Sequence, residues 1–147
     1  MFKKIVCAID GSQHALRAAE VASGLAVALD AELVFLTVTK RLEVNDAIRR
    51  YMEMEHLTGE PQYVLDEMTE RFLTDAQQLA RDRGVSGAKT LVRVGSPART
   101  IVAEARRLGA DLVVMGRRGH GDIEGVLLGS VSHKVASLSD CTVMTVT

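Results

Sequence analysis

Residues 111–115 read Asp111-Leu-Val-Val-Met115, and the chain continues as Gly116-Arg117-Arg118-Gly119-His120-Gly121-Asp-Ile-Glu-Gly125-Val-Leu-Leu-Gly129-Ser130-Val131-Ser132. A short apolar run bounded by turn residues has the pattern of a strand covered on both faces. It is followed by a connection holding five glycines, Gly116, Gly119, Gly121, Gly125 and Gly129. A helical stretch then begins at Ser130 and runs to Leu138. Strand, glycine-rich loop and helix in this order form one unit of an α/β sheet, and the rest of the chain is read against it.

Working towards the N-terminus, Gly109 fits the C-terminal stop of a helix. The buried face of that helix is Ile101, Val102, Ala105 and Leu108. Ser96-Pro97 opens it, with Ser96 as N-cap and Pro97 at the first helical position. Before it, Ala88-Lys-Thr-Leu-Val-Arg-Val94 alternates as a strand. Leu65, Met68, Phe72, Ala76, Leu79 and Ala80 define a long amphipathic helix ending near Gly84. The stretch from Lys40 to Gly59 is the least regular. Ala47, Ile48, Tyr51 and Met52 have helical spacing there, and Thr58-Gly59-Glu60-Pro61 is read as the stop. Met52, Met54 and Met68 are read as packing filler. Glu32 to Val38 is a buried strand. Ala15, Ala18, Ala22, Leu25 and Leu29 form a helical stripe of mostly small residues, able to lie close to a sheet. Ile5-Val-Cys-Ala-Ile9 is the first strand, broken by Asp10-Gly11-Ser12. Thr142-Val-Met-Thr-Val146 is the last.

Strands and helices thus alternate as βαβαβαβαβ. The expected fold is one domain over residues 1–147, a single open five-stranded parallel sheet with helices on both faces. Ligands of such sheets bind beyond the carboxyl ends of the strands, where strand order reverses. The ends of the first and fourth strands, at Asp10 and Gly116, are the expected place.

Composition narrows the function. The 18 Lys and Arg balance 19 Asp and Glu, which argues against a nucleic-acid surface. Three Phe, two Tyr and no Trp leave no stacking platform for single strands. No segment approaches the roughly 20 apolar residues of a membrane span. The opening Met-Phe-Lys-Lys lacks the apolar core of a signal peptide, so a cytoplasmic location is expected. Cys7 and Cys141 have no metal-ligand partner at short spacing and are read as buried, reduced thiols.

The glycine-rich loop carries the chemistry. Glycines let a backbone approach a ligand without a Cβ in the way, and consecutive N–H groups in such a turn can form an anion nest. Gly129-Ser130-Val131-Ser132 lies at a helix start, where unpaired N–H groups favour phosphate. Ser130 and Ser132 are expected to add hydroxyl donors, and Arg117, Arg118 and His120 a positive rim. There is no GxxxxGK[ST] motif and no GxGxxG after the first strand, so neither of those phosphate motifs applies.

The spacing Gly116-x2-Gly119-x9-Gly129-Ser130 resembles the nucleotide-binding signature of the universal stress proteins, in their ATP-binding branch. Ile5-Val-Cys-Ala-Ile-Asp10-Gly-Ser12, Gly95-Ser-Pro97 and Gly109-Ala-Asp111-Leu-Val-Val114 are similar to that family as well, and the likeness runs the length of the chain. The resemblance implies phosphate and ribose contacts at Gly116, Gly119, Gly129 and Ser130. It implies an acidic ribose partner at Asp10, and an adenine lining at Ala8 and Val38, the latter through its backbone. Arg117, His120, Gly121, Val131 and Ser132 fall in the same loop and helix start. The implied ligand is ATP or a related adenine nucleotide with Mg²⁺, and the implied partner is a second copy through Thr142 to Val146. A further protein partner is implied but unidentified. In one departure from the family pattern, Cys141 is followed by Thr142 rather than Pro, which bears on the edge strand.

Three function classes remain open on the residues. They are a nucleotide-binding regulator of stress adaptation, a slow ATP hydrolase or phosphotransferase, and a dimeric interaction module that binds no nucleotide. Asp10 has a structural alternative as a turn cap. His14, His56 and His133 are read as surface or packing residues, and Arg49-Arg50 and Arg106-Arg107 as solvated helix faces. No residue stands out to orient a nucleophile, so any turnover is expected to be slow.

Overall fold

A computed structural model describes residues 1–40, 45–56, 61–119 and 128–147. Five strands, β1 (Lys4–Ala8), β2 (Glu32–Thr39), β3 (Lys89–Val94), β4 (Leu112–Gly116) and β5 (Thr142–Val146), form one sheet in the order β3-β2-β1-β4-β5. All pairs are parallel. The helices are α1 (Gln13–Leu29), α2 (Asp46–Met54), α3 (Pro61–Asp82), α4 (Pro97–Leu108) and α5 (Ser130–Leu138). The expected open parallel sheet is therefore observed, with one helix more than strict alternation supplies, since α2 and α3 both lie between β2 and β3.

Handedness sorts the helices. The chain steps one way from β1 to β2 to β3, then returns across β1 to β4 and β5. Right-handed crossovers taken in opposite directions put their helices on opposite faces. Ile5, Cys7, Phe35, Leu112 and Val114 accordingly pack with α1 and α3. Val6, Ala8, Leu36, Val113 and Met115 pack with α4 and α5. Neighbouring residues of one strand point to opposite faces, and both faces are buried, which is why the strands read as continuous apolar runs. The alanines of α1 serve the close approach, with Ala15, Ala18, Ala19, Ala22 and Ala26 all buried.

Several local readings are refined or corrected. Pro61 is the first residue of α3, where a missing N–H costs nothing; α2 already ends at Met54, and Thr58, Gly59 and Glu60 of the expected stop lie outside the described residues. Ser96 occupies the N-cap of α4, but its hydroxyl makes no capping bond; the turn is closed by the Thr100 N–H on the Ser96 carbonyl, 2.9 Å. Of the methionines read as filler, Met52 is buried while Met54 and Met68 are exposed. Cys7 is buried and desolvation pushes its thiol well up, whereas Cys141 is only half-buried.

The two arginines read as a solvated helix face are exposed, and both are also paired. Arg106 Nε lies 2.8 Å from Asp140, and Arg107 meets Glu104 at 2.8 Å, with Arg93 of β3 on the same carboxylate at 3.3 Å. The Glu104 side chain is 12% exposed. The hydrogen bond from Arg107 is the main cause holding its carboxyl below the usual range; burial opposes it and Arg93 adds to it. A depressed folded-state pKa stabilises the fold above the unfolded value of about 4.3, and that contribution disappears as pH falls through the folded value. Glu104→Gln should therefore be less stable than the parent at pH 7, with the gap closing in acid. Urea unfolding at pH 7 and in acid measures it, and a gap independent of pH would refute the assignment.

Candidate functional site

The return of the chain across β1 leaves a crevice between the carboxyl ends of β1 and β4, as this topology requires. A cleft of about 210 Å³, open to solvent at its mouth, occupies it. Its walls are largely apolar: Ala8 from β1, Leu36 and Val38 from β2, Met115 from β4 and Ile101 from α4. Polar groups come from Asp10, Ser12, the Gly116–Gly119 backbone and Ser130.

The β1 exit is built by side-chain hydrogen bonds. Thr37 Oγ1 donates to the Ile9 carbonyl at 2.9 Å. The Asp10 carboxylate accepts the Ser12 N–H at 2.9 Å, and the Ser12 hydroxyl accepts the Ala15 N–H at 3.2 Å, capping α1. Gly11 takes φ +82°, a conformation that favours glycine. Asp10 thus makes the turn its structural reading required, and its exposed carboxylate also faces the cleft.

Opposite it, the β4–α5 connection is clamped at its feet. The Arg117 N–H donates to the Val146 carbonyl at 2.7 Å, and the Gly129 N–H to the Arg117 carbonyl at 2.8 Å. The Ser132 hydroxyl donates to the same Arg117 carbonyl at 2.7 Å. Gly129, at the N-cap of α5, offers no side-chain oxygen to cap the first-turn amides of this helix. Those N–H groups and the helix dipole give the cleft an electropositive end.

Of the residues singled out from sequence, Ala8, Asp10, Val38, Gly116, Gly119, Ser130, Val131 and Ser132 line the cleft. Gly129 is buried behind it, its N–H already engaged. Arg117 does not line it; its main chain forms the clamp, and its buried Nε has no hydrogen-bond partner among the described residues. Arg118 is the arginine that reaches the cleft. Ser132 lines it, but its hydroxyl bonds the clamp rather than pointing a donor at a ligand. His120 and Gly121 lie outside the described residues.

Sequence reasoning missed the part played by α4. Pro97 and Ile101 were legible as a helix start and a buried face, but only the return crossover carries them to the mouth of β1. It also missed His14, whose Nδ1 accepts the Arg118 N–H at 3.3 Å. Among the described residues no group of three or more His, Cys, Asp or Glu could hold a metal ion, and no helix is long and apolar enough to cross a membrane.

The family model described as the universal stress protein family matches residues 1–147. Universal stress protein YxiE of Bacillus subtilis is 34% identical over 153 aligned positions, covering 99% of each chain. Among solved structures, universal stress protein UspA from Lactobacillus plantarum is similar with a TM-score of 0.75 at 26% identity, over 99% of this chain and 98% of its own. A universal stress protein in complex with cAMP is similar with a TM-score of 0.69 at 29% identity, over 99% and 97%.

Proposed function

This chain belongs to the universal stress protein family, and on that premise we propose that it binds an adenine nucleotide, ATP with Mg²⁺, in the cleft between β1 and β4. One observation carries the reading: apolar walls, a helix start whose N-cap makes no side-chain bond and a carboxylate line one cleft at the switch point. The apolar walls suit a base, with Ala8 and Val38 beside it. Asp10 accepts hydrogen bonds from ribose hydroxyls. The amides of Gly119 and of the first turn of α5 receive phosphate, as helix starts do. The solved relative with cAMP supports an adenine nucleotide of this class.

Mg²⁺ arrives with the phosphates, since no protein cage for it stands among the described residues. The nucleotide acts as a regulatory ligand in stress adaptation within the cytoplasm, with slow turnover at most. The described lining offers only Asp10 as a base, and one of its carboxylate oxygens is occupied by the Ser12 amide.

Calorimetric titration with ATP–Mg²⁺ tests the reading. The parent protein is expected to bind, and at 100 times the dissociation constant its stability rises by roughly 2.7 kcal/mol. Asp10→Ala should weaken binding by about 10- to 100-fold, the value of a charge-assisted hydrogen bond, while remaining folded. Absence of binding by ATP, AMP and cAMP alike would overturn it.

Oligomerisation belongs to the same proposal. β5 is an edge strand, and pairing with a second copy would satisfy its outer backbone groups. Sedimentation at micromolar concentration should show a dimer; a monomer mass would contradict it.

A further inference from the structure

A second groove opens from the cleft towards α4 and α5. It shares Pro97, Ser130 and Val131 with the cleft, so the two are continuous. Lys40, Arg99, His133 and Lys134 line it, and among the described residues no Asp or Glu does. The chain as a whole has 18 Lys and Arg against 19 Asp and Glu, so the groove reflects segregation of charge rather than a general excess.

These cations differ from their neighbours. Arg93, Arg106 and Arg107 each hold a carboxylate. Lys40, Arg99 and Lys134 form no ion pair among the described residues. They sit together, exposed, at the rim of one concavity. Like charges gathered without counter-charge repel one another, and an anion between them relieves that repulsion. The starts of α4 and α5 add to the same field, because neither N-cap residue, Ser96 or Gly129, makes a side-chain capping bond. α1 and α2, away from the groove, are capped by Ser12 and Asn45.

The geometry points to a phosphate-chain subsite: a nucleotide seated in the cleft extends its outer phosphates past Ser130 into the α4–α5 groove. This rests on the adenine reading and deepens it. A triphosphate reaches Arg99 and Lys134, whereas a monophosphate or a cyclic nucleotide ends before them. The protein therefore discriminates by the length of the phosphate chain and responds to the phosphorylation state of the nucleotide pool.

The test uses the double variant Arg99→Ala/Lys134→Ala, whose altered side chains are exposed and form no ion pair among the described residues. AMP, ATP and inorganic tripolyphosphate are titrated into parent and variant at low and high salt, with Mg²⁺ constant. In the parent, ATP should bind at least about tenfold more tightly than AMP, the order contributed by one charge-assisted hydrogen bond, and salt should narrow the difference. The variant should lose that preference while its affinity for AMP is unchanged, and tripolyphosphate should bind the parent but not the variant. Equal affinity for ATP and AMP in the parent, without tripolyphosphate binding, overturns the subsite and leaves the adenine cleft standing. So does a variant that weakens AMP and ATP by the same factor. If tripolyphosphate alone binds, and only to the parent, the adenine reading falls and the phosphate groove stands.

Discussion

Gly116→Val is expected to abolish nucleotide binding and to destabilise the fold at the same time. A Cβ at Gly116 would lie 2.8 Å from His14 Cβ, 2.9 Å from the His14 carbonyl carbon and 3.0 Å from the Arg118 carbonyl oxygen. Two of these atoms are main chain, so no rotamer relieves the contact. Either the start of α1 moves away from the end of β4, or the β4–α5 connection shifts. Both flank the cleft, through Ser12 and Ala15 on one side and Gly119 on the other. Overpacking of this kind costs about 1–3 kcal/mol, and valine adds bulk beyond the first carbon. Urea unfolding reads the stability loss and titration with ATP–Mg²⁺ reads the binding loss. His14→Ala should not rescue the variant, because the clash is with Cβ and the main chain rather than with the imidazole. A Gly116→Val protein of unchanged stability would show that the close approach of α1 and β4 is wrong. Gly116 is thus a packing requirement first, and Asp10→Ala is the cleaner probe of the ligand.

Phe35→Ala should produce the largest loss of stability without touching the site. Phe35 is fully buried. It stands between Cys7 and Thr90 in register on β2, and packs with the alanines of α1 and with Leu73 and Ala76 of α3. Removing a buried phenylalanine costs about 3–5 kcal/mol, a large share of the roughly 5–15 kcal/mol that holds a domain together. The urea midpoint should fall with an unchanged slope. Leu36, the neighbour that does line the cleft, points to the opposite face. The folded fraction of Phe35→Ala should therefore retain the parent's affinity for nucleotide. A loss below about 1 kcal/mol would mean that the α1–α3 face collapses around the gap.

The strands were legible because both faces of the sheet are covered, so β1, β2 and β4 show as unbroken apolar runs bounded by turn residues. The switch point followed from topology, and Asp10 and Gly116 do flank the cleft. What stayed hidden depends on tertiary direction. Arg117 and Arg118 are equivalent in composition, but the bond from the Arg117 N–H to Val146 turns the first away and leaves the second at the cleft. Ser132 reads as a phosphate donor from its place at a helix start. Its hydroxyl finds the Arg117 carbonyl because Gly129 brings that carbonyl over the first turn. Pro61, close to Gly59, looks like a breaker in sequence, yet a ring that is disfavoured inside a helix is suited to the first position of one, where it opens α3. The α4 contribution to the cleft comes from a crossover that passes over β2 and β1, which no local pattern records.

Amide chemical-shift mapping of the labelled protein on addition of ATP–Mg²⁺ tests the central claim most directly. The account predicts shifts concentrated at Ala8 to Ser12, Gly116 to Gly119 and Ser130 to Ser132, with the N-terminal ends of β1 and β4 unaffected. Shifts confined to other surfaces, or none at saturating nucleotide, would contradict an adenine-nucleotide site at the β1–β4 switch point.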